Sequence, residues 1–373
     1  MSKVLFLVNH DVVIYNFRLE LVERLLAEGH QVVISSPYGE RIDELIALGC
    51  EYREISFSRH GVNPLRELHL ISAYKKLLRE VQPDVVFSYT IKPNIYGSIA
   101  CRACRIPCVA NITGLGTAVE NGGLMQAVTL LLYRFAFTKT QKVFFQNNEN
   151  RRFFLDHKIA VGKDGLLPGS GVNLQRFGPL PYPSGDRTGF AFISRIMKEK
   201  GIDQYLEAAE HIRRMHPETV FHVCGFCEQA YEERLRELHD RGVIIYHGMV
   251  RDVREILKEI HCTVHPSYYP EGISNVLLES AACARPIITT DRAGCCEVIE
   301  DGVNGFVCRQ KDSADLIRQI ERFLSLSRGQ QSEMGLAGRR KVEKEFDRQL
   351  VVDAYMKELD AVTHDPQVSL KRT

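Results

Sequence analysis

Short apolar runs alternate with helix-length segments along this chain, and the alternation stops and restarts once. Val4–Val8 is continuously apolar, as expected of a strand buried on both faces. Phe17–Glu28 has helical spacing at Phe17, Leu21, Leu25 and Leu26, and Gly29 ends it. Val32–Ser35, Asp84–Phe87, Cys108–Ile112 and Val143–Phe145 continue the series as strands. Gly178–Gly185 then places three prolines and two glycines in eight residues, which reads as a linker. Beyond it, strands are expected at Phe190–Ile193, His222–Cys224, Val243–Tyr246, Thr263–His265 and Pro286–Thr289. Helices are expected at Gln204–Arg214, Glu228–Asp240, Asp252–Glu259, Asn275–Cys283 and Ala314–Leu326.

Such alternation predicts parallel strands joined by crossover helices. The expected fold is α/β, with two doubly wound Rossmann-like domains facing each other across a cleft. The expected boundaries are 1–178 for the N-terminal domain, 179–187 for the linker and 188–345 for the C-terminal domain. A helix at 346–363 should cross back to the first domain, followed by a tail at 364–373. Ligands in such folds bind outside the carboxyl ends of the strands, so the strand-to-helix loops are where chemistry is sought.

A chain of 373 residues exceeds one ordinary core and suits two. The formal net charge of +1 excludes a nucleic-acid polycation. Charge is uneven, however: Met1–Leu180 holds 21 Lys and Arg against 16 Asp and Glu, and the remainder holds 27 against 31. A basic N-terminal half suits an anionic partner, a phospholipid surface or a diphosphate; ordinary surface scatter is the alternative. Eleven dispersed cysteines argue for a reducing compartment. Cys101, Cys104 and Cys108 run from the end of a helix-like segment into a strand, and the Cys224–Cys227 pair has no matching pair at zinc-finger spacing, so metal binding is not expected of either. No signal peptide opens the chain, and no apolar run reaches the ~18 residues that span a bilayer. The expected location is cytoplasmic, peripheral at the inner face of the cell membrane.

The strongest local signal is Glu271-x7-Glu279. It follows a strand, contains Gly272 and opens a helix at Ser274 or Asn275. Free amides at such a helix start favour phosphate. Eight residues at helical rise bound the separation of the two carboxylates at about 12 Å. That is too far for a shared proton and fits a grip on two sugar rings either side of a diphosphate. A capped surface helix with two solvated glutamates is the plain alternative. Arg195 and Lys200 flank a loop after the first strand of the second series, a suitable place to hold a diphosphate.

Arg195-x4-Lys200-Gly201, Gly248 at a strand end, Pro266-Ser267 and Glu271-Gly272-x6-Glu279 together resemble the family 4 (group 1) glycosyltransferases of the GT-B fold. The resemblance implies that Arg195 and Lys200 hold the donor diphosphate, Glu271 contacts the transferred sugar and Glu279 the ribose. It also implies backbone contacts from Gly272, Ile273, Ser274 and Asn275, with Gly248 and Val250 around the base. Arg195, Lys200 and Glu271 are the catalytic candidates. In the N-terminal half, His10, Tyr15, Asn16 and Arg18, then Arg59, then Lys92 and Asn94, then Gly114, Leu115 and Gly116 resemble the members that extend undecaprenyl-diphosphate-linked sugars. N-acetylgalactosaminyltransferases of glycan, capsule or O-antigen assembly are among them. These residues are the acceptor-binding candidates. The first strand-to-helix loop, Asn9–Val13, lacks the glycine common in the family, so backbone contact to phosphate from that side is not expected. His10 or Asp11 capping the following helix is the plain alternative there.

The resemblance further implies a retaining transfer of an N-acetylhexosamine such as GalNAc from a UDP-sugar, without cofactor or metal. Its implied partners are a nucleotide sugar, a polyprenyl-diphosphate-linked acceptor and an anionic membrane surface, with no nucleic acid. The apolar segment Leu124–Phe137, with Arg134 inside it and Lys139 beside it, reads as a core helix or as a membrane-facing one. Two rival functions share the architecture: a UDP-sugar 2-epimerase-like isomerase, and a non-catalytic sugar-nucleotide-binding subunit.

Overall fold

The computed structural model describes residues 1–55, 64–120 and 122–363. It divides into two compact units: Met1–Ser170 with the C-terminal segment from Arg348, and Gly171–Asp347.

The first unit is built on seven parallel strands: β1 (Lys3–Leu7), β2 (Gln31–Ser36), β3 (Glu51–Glu54), β4 (Val85–Tyr89), β5 (Cys108–Ile112), β6 (Lys142–Phe145) and β7 (Asp164–Leu166). Their spatial order is 3-2-1-4-5-6-7. The apolar run at β1 works as expected of a two-sided strand: Leu5 and Leu7 enter one core, and Val4, Phe6 and Val8 the other. Each such side chain, fully buried, contributes about 1.5–3 kcal/mol.

The helix expected at 17–28 is two helices, Val12–Phe17 and Leu19–Ala27, divided at Arg18. Arg18 leaves helical geometry with φ −138° and ψ 9° and turns inward. Its guanidinium lies 5.1 Å from the Tyr89 ring centre and 5.8 Å from that of Tyr355. The helix Arg348–Thr363 supplies Tyr355 to this unit, and with it Val351, Val352, Met356, Leu359 and Val362. The Tyr355 ring lies 4.9 Å from Phe87 and 5.2 Å from Phe144, and its hydroxyl accepts a hydrogen bond from Asn111 Nδ2 at 2.9 Å.

The second unit repeats the plan with β8 (Thr188–Ile193), β9 (Thr219–Cys224), β10 (Ile245–Gly248), β11 (Cys262–His265), β12 (Ile287–Thr290) and β13 (Gly305–Cys308). The order is 10-9-8-11-12-13, again all parallel, with its switch point between β8 and β11. The proline-rich stretch expected as a linker is fastened to this unit. The fully buried Arg285 donates to the Leu180 and Pro181 carbonyls at 3.2 and 2.7 Å, and the Tyr182 hydroxyl donates to the His261 carbonyl at 3.0 Å. A buried guanidinium must find acceptors, and this segment provides them. The units consequently divide at Ser170/Gly171 and at Asp347/Arg348, away from the prolines. Among the described residues no helix is long and apolar enough to cross a membrane.

Candidate active site

In the second unit the loops after β8 and β11 meet at the switch point. The loop after β8 carries Arg195 and Lys200 and ends at Gly201, whose φ is 79°. A Cβ at Gly201 would stand 2.1 Å from the Pro266 carbonyl oxygen, so the two loops touch backbone to backbone. The loop after β11 runs through Ser267 and Glu271 into the helix Asn275–Ala282. Its end is pinned by the Ser274 amide donating to the Gly294 carbonyl at 2.8 Å.

Four side chains converge there. Lys200, only 7% exposed along its side chain, is ion-paired to Glu271. Ser267 Oγ donates to the same Glu271 oxygen at 3.1 Å, and His265 Nε2 lies 3.5 Å from it. His265 Nε2 is also 3.2 Å from Ser274 Oγ. Burial raises the Glu271 pKa, but the Lys200 charge and the His265 contact outweigh it and hold the carboxyl well below the usual carboxylate range. Burial pushes the His265 imidazole down, against the opposing pull of Glu271. His265 Nδ1 is buried with no hydrogen-bond partner among the described residues. The Tyr269 ring backs the cluster, 5.1 Å from the Arg195 guanidinium and 5.0 Å from Lys200 Nζ.

Arg195 and Lys200 were expected to hold a diphosphate. Both are paired, Arg195 with Glu228 and Lys200 with Glu271. A buried ammonium needs a counter-charge, so Lys200 stores its charge on the carboxylate beside it. Ser274 is the helix N-cap as expected, yet its side chain makes no capping bond and serves His265 instead. Gly272, Ile273 and Ser274 are buried, Asn275 is half-buried, and Glu279 is half-buried one turn on. Pro266 continues β11 and is buried with Ser267. At the end of β10, Gly248 adopts φ 64° and its carbonyl accepts the Gly225 amide at 2.8 Å, with half-buried Val250 following.

His265, Glu271 and Cys295 have ligand atoms within 4.8 Å of one another. They suit a divalent ion poorly while Lys200 is in place. Its ammonium already neutralises the carboxylate, and burial followed by the Glu271 charge pushes the Cys295 thiol far up, away from thiolate.

In the first unit the expected acceptor residues fall at the carboxyl ends of three adjacent strands, β1, β4 and β5. His10 sits against buried Asp11, which accepts the Arg41 amide at 2.7 Å and stands at the N-cap without a side-chain capping bond, while His10 Nδ1 accepts the Val12 amide at 3.3 Å. Tyr15 lies under the Arg41 guanidinium at 4.7 Å, and Asn16 is exposed. Lys92 pairs with Glu67 at 2.6 Å. Gly114 and Gly116 have positive φ, 153° and 70°, about buried Leu115. Two of the expected polar acceptor residues are buried. Arg18 and Asn94 are 2% and 1% exposed, and Asn94 is spent on Ser88 Oγ at 2.8 Å and the Asn111 carbonyl at 2.7 Å. They belong to the framework of this unit. Arg59 lies outside the described residues.

Sequence reasoning gave no donor-site role to His265, Tyr269 or Gly294, nor to His222, whose ring nitrogen lies 2.9 Å from that of His247 in the expected base loop. The position of His265 at a strand end, just before Pro266-Ser267, was the available signal.

The description "glycosyl transferases group 1" matches residues 183–341, and "glycosyl transferase 4-like" matches residues 3–147. The two matches together span most of the chain, which is a glycosyltransferase. This glycosyltransferase is 25% identical to the N,N'-diacetylbacillosaminyl-diphospho-undecaprenol alpha-1,3-N-acetylgalactosaminyltransferase of Campylobacter jejuni, over 96% of this chain and 98% of the relative. It is 26% identical to the UDP-Gal:alpha-D-GlcNAc-diphosphoundecaprenol alpha-1,3-galactosyltransferase of Escherichia coli, over 68% of this chain and 69% of that one. Among solved structures, Anabaena HepE in complex with UDP and glucose matches with a TM-score of 0.79 at 16% identity, covering 97% of the glycosyltransferase and 100% of HepE. The shared fold is GT-B, two Rossmann-like domains.

Proposed function

We propose that this glycosyltransferase moves a sugar from a UDP-sugar to an undecaprenyl-diphosphate-linked sugar acceptor. The transferred unit is an N-acetylhexosamine such as GalNAc, with retention at the anomeric carbon and without a metal or cofactor. The acceptor class is supported by the names of the Campylobacter jejuni and Escherichia coli relatives, and the UDP donor by the latter and by the HepE complex.

The observation that carries the donor assignment is the buried Lys200–Glu271 pair at the start of the helix Asn275–Ala282. A diphosphate carries more negative charge than one carboxylate and competes for the Lys200 ammonium. Glu271, relieved of the Lys200 charge, becomes an acceptor for hydroxyls of the sugar. Arg195, Lys200 and the helix amides then stabilise the leaving diphosphate, which takes the acceptor proton in a front-face transfer. Gly272, Ile273, Ser274 and Asn275 line the sugar and phosphates. Pro266 and Ser267 shape the loop, Glu279 binds the ribose, and Gly248 and Val250 flank the base. His10, Tyr15, Asn16, Lys92 and Gly114–Gly116 form the acceptor side.

The test is a panel of UDP-sugars with a polyprenyl-diphosphate sugar, read by the mass of the lipid product. One added N-acetylhexosamine from UDP-GalNAc is expected. Conversion of the UDP-sugar without acceptor would instead make the protein an epimerase, and donor binding with no turnover a non-catalytic subunit.

A further inference from the structure

His265 ends β11 and is 1% exposed. Its two ring nitrogens meet very different surroundings. Nε2 lies 3.2 Å from Ser274 Oγ and 3.5 Å from Glu271 Oε1. Nδ1 is buried with no hydrogen-bond partner among the described residues. A neutral imidazole carries one N–H. On Nδ1 that proton would find no acceptor, so it belongs on Nε2, where two oxygens can take it. A second proton would leave a buried N–H unsatisfied on Nδ1, and burial likewise favours the neutral ring. His265 is therefore a fixed donor with a single proton to offer.

The surroundings of Glu271 show where that proton is needed. Lys200 from the loop after β8, His265 from the end of β11 and Cys295 from the loop after β12 face this carboxylate, and Ser267 Oγ donates to it at 3.1 Å. The Cys295 thiol is pushed far up and brings no charge. Lys200 supplies the counter-charge. A donor diphosphate draws that ammonium towards itself, and the carboxylate stays enclosed without it. Burial then favours the protonated acid, and a buried glutamate can titrate as high as about pH 8–9. Protonation would spoil Glu271 as an acceptor for sugar hydroxyls.

We propose that His265 is a positioning residue of the donor site: when the diphosphate takes the Lys200 charge, its Nε2–H turns from Ser274 to Glu271 and keeps that carboxylate ionised and aimed at the sugar. This role rests on the exchange of Lys200 proposed above. It adds to the site a hydrogen-bond donor that acts on the substrate only through Glu271.

The experiment compares the full chain with its His265→Phe, His265→Asn and His265→Gln variants, using UDP-GalNAc and a polyprenyl-diphosphate sugar. The Gln amide reaches the place of Nε2, whereas the Asn amide stops at the place of Nδ1. Asn keeps the position polar, so the outcome does not hang on whether the phenyl ring is accommodated. Near about pH 7, His265→Phe and His265→Asn should lower kcat by about tenfold or more, with the acceptor KM within about twofold. Relative to the wild type, the loss should deepen as pH falls from about 8 to 6. His265→Gln should stay within about threefold throughout. Calorimetry of UDP-GalNAc binding in two buffers of different ionisation enthalpy gives a readout that needs no turnover. The Phe and Asn variants should take up about one proton with the donor, and the wild type and His265→Gln about none. Wild-type kcat in both the Phe and Asn variants overturns the proposal. So does a loss that is equal at every pH with no proton taken up, the result expected of a residue that only supports the fold. Transfer by the wild type alongside either result removes this role alone. No binding of any UDP-sugar by the wild type removes the proposed function and this role with it.

Discussion

At the scale of the residue, Lys200 and Arg195 have opposite consequences. Lys200 is enclosed and holds the charge of Glu271, whereas Arg195 is 35% exposed and holds Glu228 at the surface. Lys200→Met removes the ammonium that neutralises a largely buried carboxylate, which costs roughly 3–5 kcal/mol. Arg195→Ala removes an exposed ion pair and a ring contact, about 1 kcal/mol. Both should lower turnover by at least about a hundredfold if they hold the leaving group. Lys200→Met/Glu271→Gln should recover much of the stability and none of the activity. Urea unfolding alongside donor kinetics checks all three, and wild-type turnover in Arg195→Ala would remove it from the site. From the sequence these two cations looked alike. The spacing in Arg195-x4-Lys200 identified the loop, but burial depends on Gly201 meeting the Pro266 carbonyl, a contact between segments far apart in the chain.

At the scale of the element, central strands were legible, and of the four edge strands only β10 was anticipated, two residues early. β1, β4 and β5 read directly because both of their faces are buried, which makes them continuously apolar. β3 was not expected, because its Glu51, Arg53 and Glu54 are exposed at the sheet edge and break any apolar run. The helix start at Asn275 was readable from Ser274, yet the use of that hydroxyl by His265 depends on β11, which local sequence does not encode. The strands of the second unit also carry an acid sensitivity. His222 on β9 is pushed down to about 4 by burial and then by His247. His261, beside β11, is pushed down to about 4 by burial and then by Arg328 and Arg285, and its Nδ1 accepts the Gly189 amide at 3.1 Å. A histidine whose folded pKa lies below its unfolded value stabilises above the unfolded value, near 6.5, and that stability is lost as pH falls towards the folded value. Stability should therefore decline between about pH 6.5 and 4, by up to roughly 3 kcal/mol per histidine. His222→Gln should flatten the slope in denaturant titrations across this range. An unchanged slope would exclude His222 as a contributor.

At the scale of the whole molecule, the two sheets share one strand order, 3-2-1-4-5-6 counted within each unit, with β7 added to the first. Alternation in the sequence predicted the doubly wound class but not the division between units, because the prolines are tied down by Arg285. The C-terminal helix is costly to lose, since it supplies six buried side chains to the first unit's core. Tyr355 fills the space between Phe87 and Phe144, so Tyr355→Ala should destabilise the first unit by about 3–5 kcal/mol. Arg348 Nη1 donates to both Glu20 carboxylate oxygens at 3.0 Å, fixing the start of that helix. A chain ending at Asp347 should expose apolar surface in the first unit, seen as dye binding and early thermal unfolding, while the second unit keeps its own transition. A first unit that melts normally without residues 348–363 would overturn this.

That last helix also sets an order of events on the ribosome. Domains generally fold as units while the chain is being made, the N-terminal one first. Here the segment that emerges first lacks a wall of its core until Arg348–Thr363 has been synthesised, after the whole of Gly171–Asp347. The second unit can complete itself during translation; the first must wait with Phe87 and Phe144 uncovered. The nascent chain thus carries an open apolar face for the entire time that the second unit is being made, and this is the interval in which a chaperone has something to hold.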